Sequence, residues 1–277
     1  MYNRHICVSA GEMIPDSGGL SAVLGDFAEV CSADGRKAVS LVEGNGERHF
    51  RAGSYCGFVC FNDGTFVEIL PYPGDVEARK MLCAEFCRRC GADFSRYVFD
   101  PDTNFLEFFI SVFAGETMKI IKSGVLSTYA SREENMTSVQ GTILFAENIR
   151  RNLVHRERLY VRHEVFTPDR AENRIIKAAA KLLIGLTANA HSSHHLNETL
   201  SYLGEVAVPR NAAEEFGKCV NTRNTRKYST ILSICRMLFD KNEGAAFMGK
   251  NIACAQLFDM EHETASAAEI KNAAQDN

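Results

Sequence analysis

The sequence predicts an α+β protein, strand-rich over residues 1–100 and mostly helical over residues 101–260. Two β-rich runs, Tyr55–Phe61 and Thr65–Leu70, flank Asn62-Asp63-Gly64, which is turn chemistry, so the three read as a hairpin. Later stretches repeat apolar residues every three or four positions, the period of an amphipathic helix. With 277 residues, 45% of them hydrophobic and 24% charged, the chain has enough apolar matter to pack a core.

Taken in order, Arg4–Ser9 is a short strand candidate. The hairpin ends at Pro71 and Pro73, which cannot continue a ladder. From Asp75 to about Arg89 the pattern turns helical, with Gly91 placed as a C-cap. Phe105, Phe108, Phe109, Val112 and Phe113 share one helical face, Ile120 and Ile121 extend it, and Gly124 stops it. Gly141–Ala146 and Leu159–Thr167 read as strands flanking an arginine-rich link. Ala171–Leu186 and Ser229–Phe239 read as amphipathic helices. Glu261–Asn277 is rich in Ala, Glu and Asn and holds one large aliphatic residue, Ile270, so it reads as a polar tail. The expected division is a strand-rich domain over 1–100, a mostly helical domain with an arginine-rich hairpin over 101–260, and the tail over 261–277.

Composition narrows the function classes. A net charge of -4 and a pI near 6.1 exclude a general polycation, so any contact with nucleic acid needs a local basic patch. No apolar run reaches membrane-spanning length, and the opening MYNRHICVSAGEM has no apolar core of signal-peptide length. The ten scattered cysteines are expected as reduced, mostly buried thiols of a cytoplasmic protein.

Several motifs suggest chemistry. Cys83, Cys87 and Cys90 have the C-x3-C-x2-C spacing that can ligate an iron–sulfur cluster, but the segment VEARKMLCAEFCRRC reads as helix, where they form one buried stripe. Gly244–Asn251, GAAFMGKN, lies one residue from a phosphate-binding loop; Asn251 lacks the hydroxyl that holds magnesium, and a surface turn is the expectation. His191, His194 and His195 in HSSHH are possible metal ligands without a Cys or carboxylate at finger-like spacing, and a polar loop between helices is expected. Asp169, Glu269 and Lys271 supply the letters of a magnesium-dependent nuclease, but Glu269 sits in the polar tail, and no catalytic or metal site is assembled from them. Arg150, Arg151, Arg156, Arg158 and Arg162 are opposed only by Glu157, a cluster suited to gripping phosphates or to serving a partner's nucleotide site, or else a solvated hairpin.

An ordered set of segments resembles the McrC family, subunits of the 5-methylcytosine restriction system. Tyr55–Pro71, YCGFVCFNDGTFVEILP, resembles an early hairpin ending in I-L-P. FFISVFAGETMKIIKSGVLSTY, within Phe105–Tyr129, resembles an aromatic helix followed by G-L-x-x-x-Y. Ser138–Asn148, SVQGTILFAEN, resembles an R-G-x-I strand with Gln140 where the family has Arg before Gly141. Tyr160–Lys177, YVRHEVFTPDRAENRIIK, resembles the block Y-x-E-F-T-x-D-x-x-x-N-R-x-L-K, placing Asp169, Asn173, Arg174 and Lys177 at motif positions. Leu257-Phe258-Asp259-Met260 resembles an L-F-D-M step, so the likeness spans roughly residues 55–260.

The resemblance implies an accessory subunit whose N-terminal region docks on a ring of McrB, an AAA+ GTPase, and stimulates GTP hydrolysis. GTP and magnesium would sit on the partner, DNA would be met through the complex, and this chain would bind no cofactor. The family continues past the L-F-D-M step into a PD-(D/E)xK nuclease; here the sequence reads EHETASAAEIKN, and a complete nuclease domain is not expected. Read from the residues alone, Asp169 follows Pro168 and precedes a helix, which suits an N-cap or first-turn acid. The competing functions are a stand-alone iron–sulfur or nucleotide-binding enzyme and a simple DNA-binding module using the arginines.

Overall fold

The computed structural model describes residues 4–15, 20–33, 35, 38–44, 47–73, 75–240 and 251–260. The sequence GAAFMGKN, apart from Asn251, and the tail with Glu269 and Lys271 lie outside them.

Strands come first. β1 (Arg4–Ser9), β2 (Met13–Ile14), α1 (Leu20–Ala33), β3 (Val39–Gly44) and β4 (Glu47–Ala52) precede the hairpin of β5 (Tyr55–Phe61) and β6 (Thr65–Leu70). Helices α2 (Asp75–Cys90) and α3 (Phe105–Lys122) follow. Next come β7 (Thr128–Met136), β8 (Thr142–Ile143), α4 (Phe145–Asn152) and β9 (Leu159–Thr167). The chain then runs through α5 (Ala171–Ile184), α6 (Ala190–Tyr202), α7 (Ala212–Glu215) and α8 (Ser229–Phe239) to a last strand, β10 (Ile252–Asp259). The α+β reading therefore holds, with strands concentrated in the N-terminal half and helices later.

The central sheet has the order β1-β6-β5-β10, with β1 parallel to β6 and the other pairs antiparallel. Both faces are covered, which is why β5 and β6 read as nearly continuous apolar runs instead of alternating. One face, with Cys56, Phe58, Cys60, Phe66 and Leu70, packs on α2, α3, α5 and α8. The other, with Val59, Phe61, Val67 and Ile69, packs on α1 and on the small sheet β2-β4-β3 through Leu24, Phe27, Val39 and Phe50. β10 closes the first layer from the far end of the sequence, and its approach to β5 is tight. Gly57 has φ +144°, and a Cβ there would collide with the Gln256 carbonyl oxygen, so only glycine fits.

Glu68 is the one acid of β6 and points into the helix-covered core, fully buried. Arg79 Nε and Nη2 donate to its two oxygens at 3.0 and 3.1 Å, the Phe105 amide donates at 2.7 Å, and His5 lies 3.4 Å away. Burial alone would raise its pKa; the bonds from His5, Arg79 and Phe105 outweigh it and hold the carboxyl below the usual range. This knot fixes the hairpin to the starts of α2 and α3.

The cysteine stripe falls as the helical period requires: Cys83, Cys87 and Cys90 all face the core from α2. Burial pushes the Cys87 thiol up to about 12 and the Cys90 thiol up to about 11, so neither is poised to act as a thiolate.

The sequence reading needs correction in three places. Gly141–Ala146 is not one strand: only Thr142–Ile143 pairs, and Phe145 begins α4, because Phe145 and Ile149 repeat at helical spacing. HSSHH is not a loop. It opens α6, because the Asn189 side chain accepts from the His191 and Ser192 amides and caps the helix. Asp169 is not the N-cap of α5, a place taken by Arg170, because its carboxylate is engaged by Arg174.

Candidate functional site

Two clusters of charged side chains adjoin each other along the chain, and the fold treats them differently. The first is the block at the start of α5. Asn173 is buried, donates to the Leu126 and Pro168 carbonyls at 2.9 and 2.7 Å, and accepts from the Tyr228 hydroxyl at 3.0 Å. Arg174 reaches Asp169 through two bonds of 2.7 and 2.8 Å. The bond from Arg174 and one from the Ala207 amide hold the Asp169 carboxyl below the usual carboxylate range. Lys177 is buried, and its ammonium donates to the Leu203, Gly204 and Val206 carbonyls at 2.7, 3.0 and 2.5 Å. A cation there adds a donor to carbonyls just past the end of α6, of which Leu203 also accepts from the Val206 amide at 3.1 Å. The four side chains join the α3–β7 connection, α5, the end of α6 and the lead into α8.

The second cluster is the arm formed by β7, β8, α4 and β9. Its sheet has the order β7-β9-β8, with β7 and β9 paired along their whole length from Thr128↔Thr167 to Met136↔Leu159. These elements pack chiefly on one another, so the arm stands off the body. Gly141 enters its short strand at φ +69°, where a Cβ would collide with the Arg162 carbonyl oxygen. α4 is tied down by its asparagines. Asn148 accepts from the Tyr160 amide at 2.8 Å, and the buried Asn152 donates to Asn148 and Asn135 at 2.8 and 2.7 Å.

This inner polar anchoring turns the apolar side of α4 outward. Phe145, Ile149 and Leu153 recur one turn apart and are 71%, 65% and 71% exposed, and Val154 beside them is 85% exposed. At the base of the arm the Tyr129 and Phe166 rings meet at a tilt across β7 and β9, with centroids 5.1 Å apart, also exposed. Isolated surface hydrophobes are ordinary; a helix showing its apolar stripe to solvent marks an interaction surface. The sequence reading had passed over this stripe, although the spacing of Phe145 and Ile149 signals it.

The predicted arginines are distributed along the arm. Arg150 and Arg151 lie on α4 and not in a link; both pair with Glu147, and Arg151 also covers the Tyr160 ring at 4.6 Å. Arg162 on β9 bonds Glu133 on β7 at 2.6 and 2.9 Å. Arg158 lies 3.8 Å from Glu157. Arg156 is exposed and makes no ion pair among the described residues. Arg156, in the turn between α4 and β9, is thus the freest of the five.

Among the described residues no three His, Cys, Asp or Glu side chains converge as a metal site needs, although the His191 and His195 rings lie 4.2 Å apart on α6. Nor is any described helix long and apolar enough to cross a membrane.

Comparison with known proteins places this arrangement. The family described as McrBC 5-methylcytosine restriction system component matches residues 50–263, most of the chain. The chain belongs to the McrBC family. A chain of the cryo-EM structure of the Thermococcus gammatolerans McrBC complex superposes with a TM-score of 0.68 at 17% identity, over 92% of this chain and 83% of that one. A chain of the refined half-complex from the tetradecameric assembly of Thermococcus gammatolerans McrB AAA+ hexamers with bound McrC superposes with a TM-score of 0.66 at 16% identity, over 92% of this chain and 67% of that one. At such identities the likeness is one of fold. No curated protein matches the chain. The McrC-like reading of the sequence agrees with both the family and the structural neighbours.

Proposed function

We propose that this McrBC-family chain is an McrC-like subunit that docks on a ring of McrB-type AAA+ GTPases and stimulates their GTP hydrolysis through its arm. The observation that carries the reading is the arm itself: a helix with its apolar stripe facing outward beside arginines that the fold leaves exposed. Apolar area supplies affinity, and cations supply a means of acting on a phosphate. One structural neighbour comes from an assembly described as McrB AAA+ hexamers with bound McrC, which supports such a ring as the partner. GTP and magnesium then belong to the ring, and DNA is met through the complex.

To accelerate hydrolysis at a site it does not own, the chain must add charge near the transferring phosphoryl group or order the ring's own catalytic groups. An arginine supplied in this way is worth about a thousandfold or more in rate. Arg156 suits that role best, since Arg150, Arg151, Arg158 and Arg162 already face carboxylates in the arm.

The test is GTP turnover by the cognate McrB-type protein with and without this chain. Arg156→Ala with Arg158→Ala lowers stimulation most, Arg150→Ala with Arg151→Ala lowers it less, and neither pair changes the melting temperature. Full stimulation by both double variants overturns the reading and leaves a solvated hairpin.

A further inference from the structure

Away from the arm, α8 and the segment before it line a pocket of about 410 Å³, a volume within the usual range for ligand sites. One helical stripe supplies its polar wall. Arg226, Ser229, Ser233 and Arg236 recur at spacings of three, four and three along the 3-10 turn Asn224–Tyr228 and the helix that continues it. Leu232 and Val220 contribute apolar wall between the cations.

The charge on this wall is not balanced from within. Glu172 also lines the pocket, but Arg170 bonds both its oxygens at 3.2 Å and the Val220 amide donates to it at 3.3 Å. Arg226 and Arg236 have no carboxylate partner among the described residues, and the Ser229 and Ser233 hydroxyls make no hydrogen bond there. A chain with a net charge of -4 thus presents two unpaired guanidinium groups and two free hydroxyls in one concavity. That donor set calls for an anion.

The geometry narrows the anion further. Ten residues of mixed 3-10 and α-helix set the backbones of Arg226 and Arg236 roughly 15 Å apart. Arg236 does not swing freely toward Arg226, because its guanidinium lies over the Phe216 ring at 4.7 Å. Two separated cations along one groove, Arg236 held by Phe216 and Arg226 exposed, suit a ligand with anionic groups at intervals. An arginine with one planar face on Phe216 keeps the other face for a nucleobase, and the apolar wall gives a base further contact.

We infer that this pocket is a nucleic-acid groove, in which Arg226 and Arg236 hold successive parts of a phosphodiester strand and the Leu232 wall takes a base. The inference deepens the proposed function, and rests on it for the choice of DNA as the strand. It adds a point at which this chain touches DNA itself, on a different surface from the arm.

The experiment is fluorescence anisotropy of the full chain with labelled DNA, single-stranded and duplex, titrated over a range of salt. Inorganic phosphate, free nucleotide and polyglutamate serve as competitors. Arg226→Ala with Arg236→Ala weakens binding at least about tenfold and reduces the slope of log affinity against log salt by about 1.4 for a single strand, the loss of two phosphate contacts. Arg236→Lys, which keeps the charge and loses the plane, falls between. Unchanged affinity and slope in the double variant overturn the inference. So does displacement by polyglutamate as readily as by unlabelled DNA, which makes the groove an acidic-peptide site, or saturation by free nucleotide alone, which makes it a mononucleotide pocket. GTPase stimulation measured on the same variants separates the two proposals: lost DNA contact with normal stimulation is expected, absent DNA binding by the unaltered chain sinks only the groove, and failure of the unaltered chain to stimulate sinks only the arm.

Discussion

Arg174 and Arg156 are the same side chain in opposite circumstances. Arg174 sits among backbone and carboxylate partners at the root of α5, bonded twice to Asp169 and facing Glu215 at 3.5 Å. Arg156, in the turn leading into β9, is exposed and unpaired among the described residues. The first belongs to a set of bonds that joins α5, α6 and the α3–β7 connection; the second belongs to an arm that packs chiefly on itself. Charge in a sequence is therefore no guide to function until its partners are known. A charge whose bonds are complete within the chain stabilises the fold, and one left open is available to another molecule.

The sharpest way to break this contrast is through two glycines. Gly57→Ala drives a methyl group into the Gln256 carbonyl at the seam between β5 and β10, deep in the body. We expect a loss of roughly 3 kcal/mol or more, at the upper end for single substitutions, read as a shift in the urea midpoint. Gly141→Ala makes the corresponding collision with the Arg162 carbonyl, but in the arm. It is expected to disorder the arm and abolish GTPase stimulation with a much smaller shift in the midpoint. Equal global destabilisation by the two would show that arm and body fold as one unit.

Next in size is Lys177→Met, which keeps the side-chain bulk and removes the ammonium from three carbonyls at the end of α6. Leu203 keeps its bond from the Val206 amide, and leaving the other acceptors without this donor costs about 1–3 kcal/mol, measured by denaturant unfolding, with stimulation per folded molecule unchanged. A large loss of stimulation at normal stability would move Lys177 from the scaffold to the working surface.

The smallest expected effect is acid sensitivity. Glu68 and Asp169 both have carboxyls held below their ordinary range in the folded chain. Their contribution is complete above the unfolded values of about 4.3 and 3.9 and is lost as pH falls through the lower folded values. The urea midpoint should therefore fall with acid below about pH 4, and Glu68→Gln, though less stable at neutral pH, should flatten that fall. Glu147 in the arm is also lowered, chiefly by its bond from Arg151, but it lies at the surface with its side chain 32% exposed, so Glu147→Gln leaves the profile nearly as it was. A profile that follows Glu147 instead would place acid-labile stability in the arm.

Much of the scaffold was legible in the residues. The β5–β6 hairpin, α3 and α8 stand at their expected bounds, because turn chemistry and a regular apolar period leave a local segment few choices. α2 ends at Gly91, at φ +76°, as a C-cap glycine should. Other elements left no such mark. β7, TYASREENM, is almost wholly polar and is a strand only because β9 pairs with it. β10, IACAQLFD, carries Gln256 in an otherwise apolar run and gains its meaning from β5, far back in the chain. Neither α1 nor the sheet β2-β4-β3 was assigned, since short mixed segments become regular only against a neighbour.

By itself, then, the sequence determined the local elements with a strong period and the family likeness of residues 55–260, because both depend on residue order alone. Tertiary structure decided which charges are spent. The Asp169–Lys177 block and the Arg150–Arg162 cluster look alike as strings of letters, and burial turned the first into internal bonds while leaving Arg156 exposed and without an ion pair among the described residues. It also turned the apolar stripe of α4 outward and set Arg226 and Arg236 in one groove with no carboxylate partner of their own among the described residues. A side chain's partners come from elements distant in sequence, and the energy of a buried or paired charge depends on those partners far more than on its neighbours along the chain.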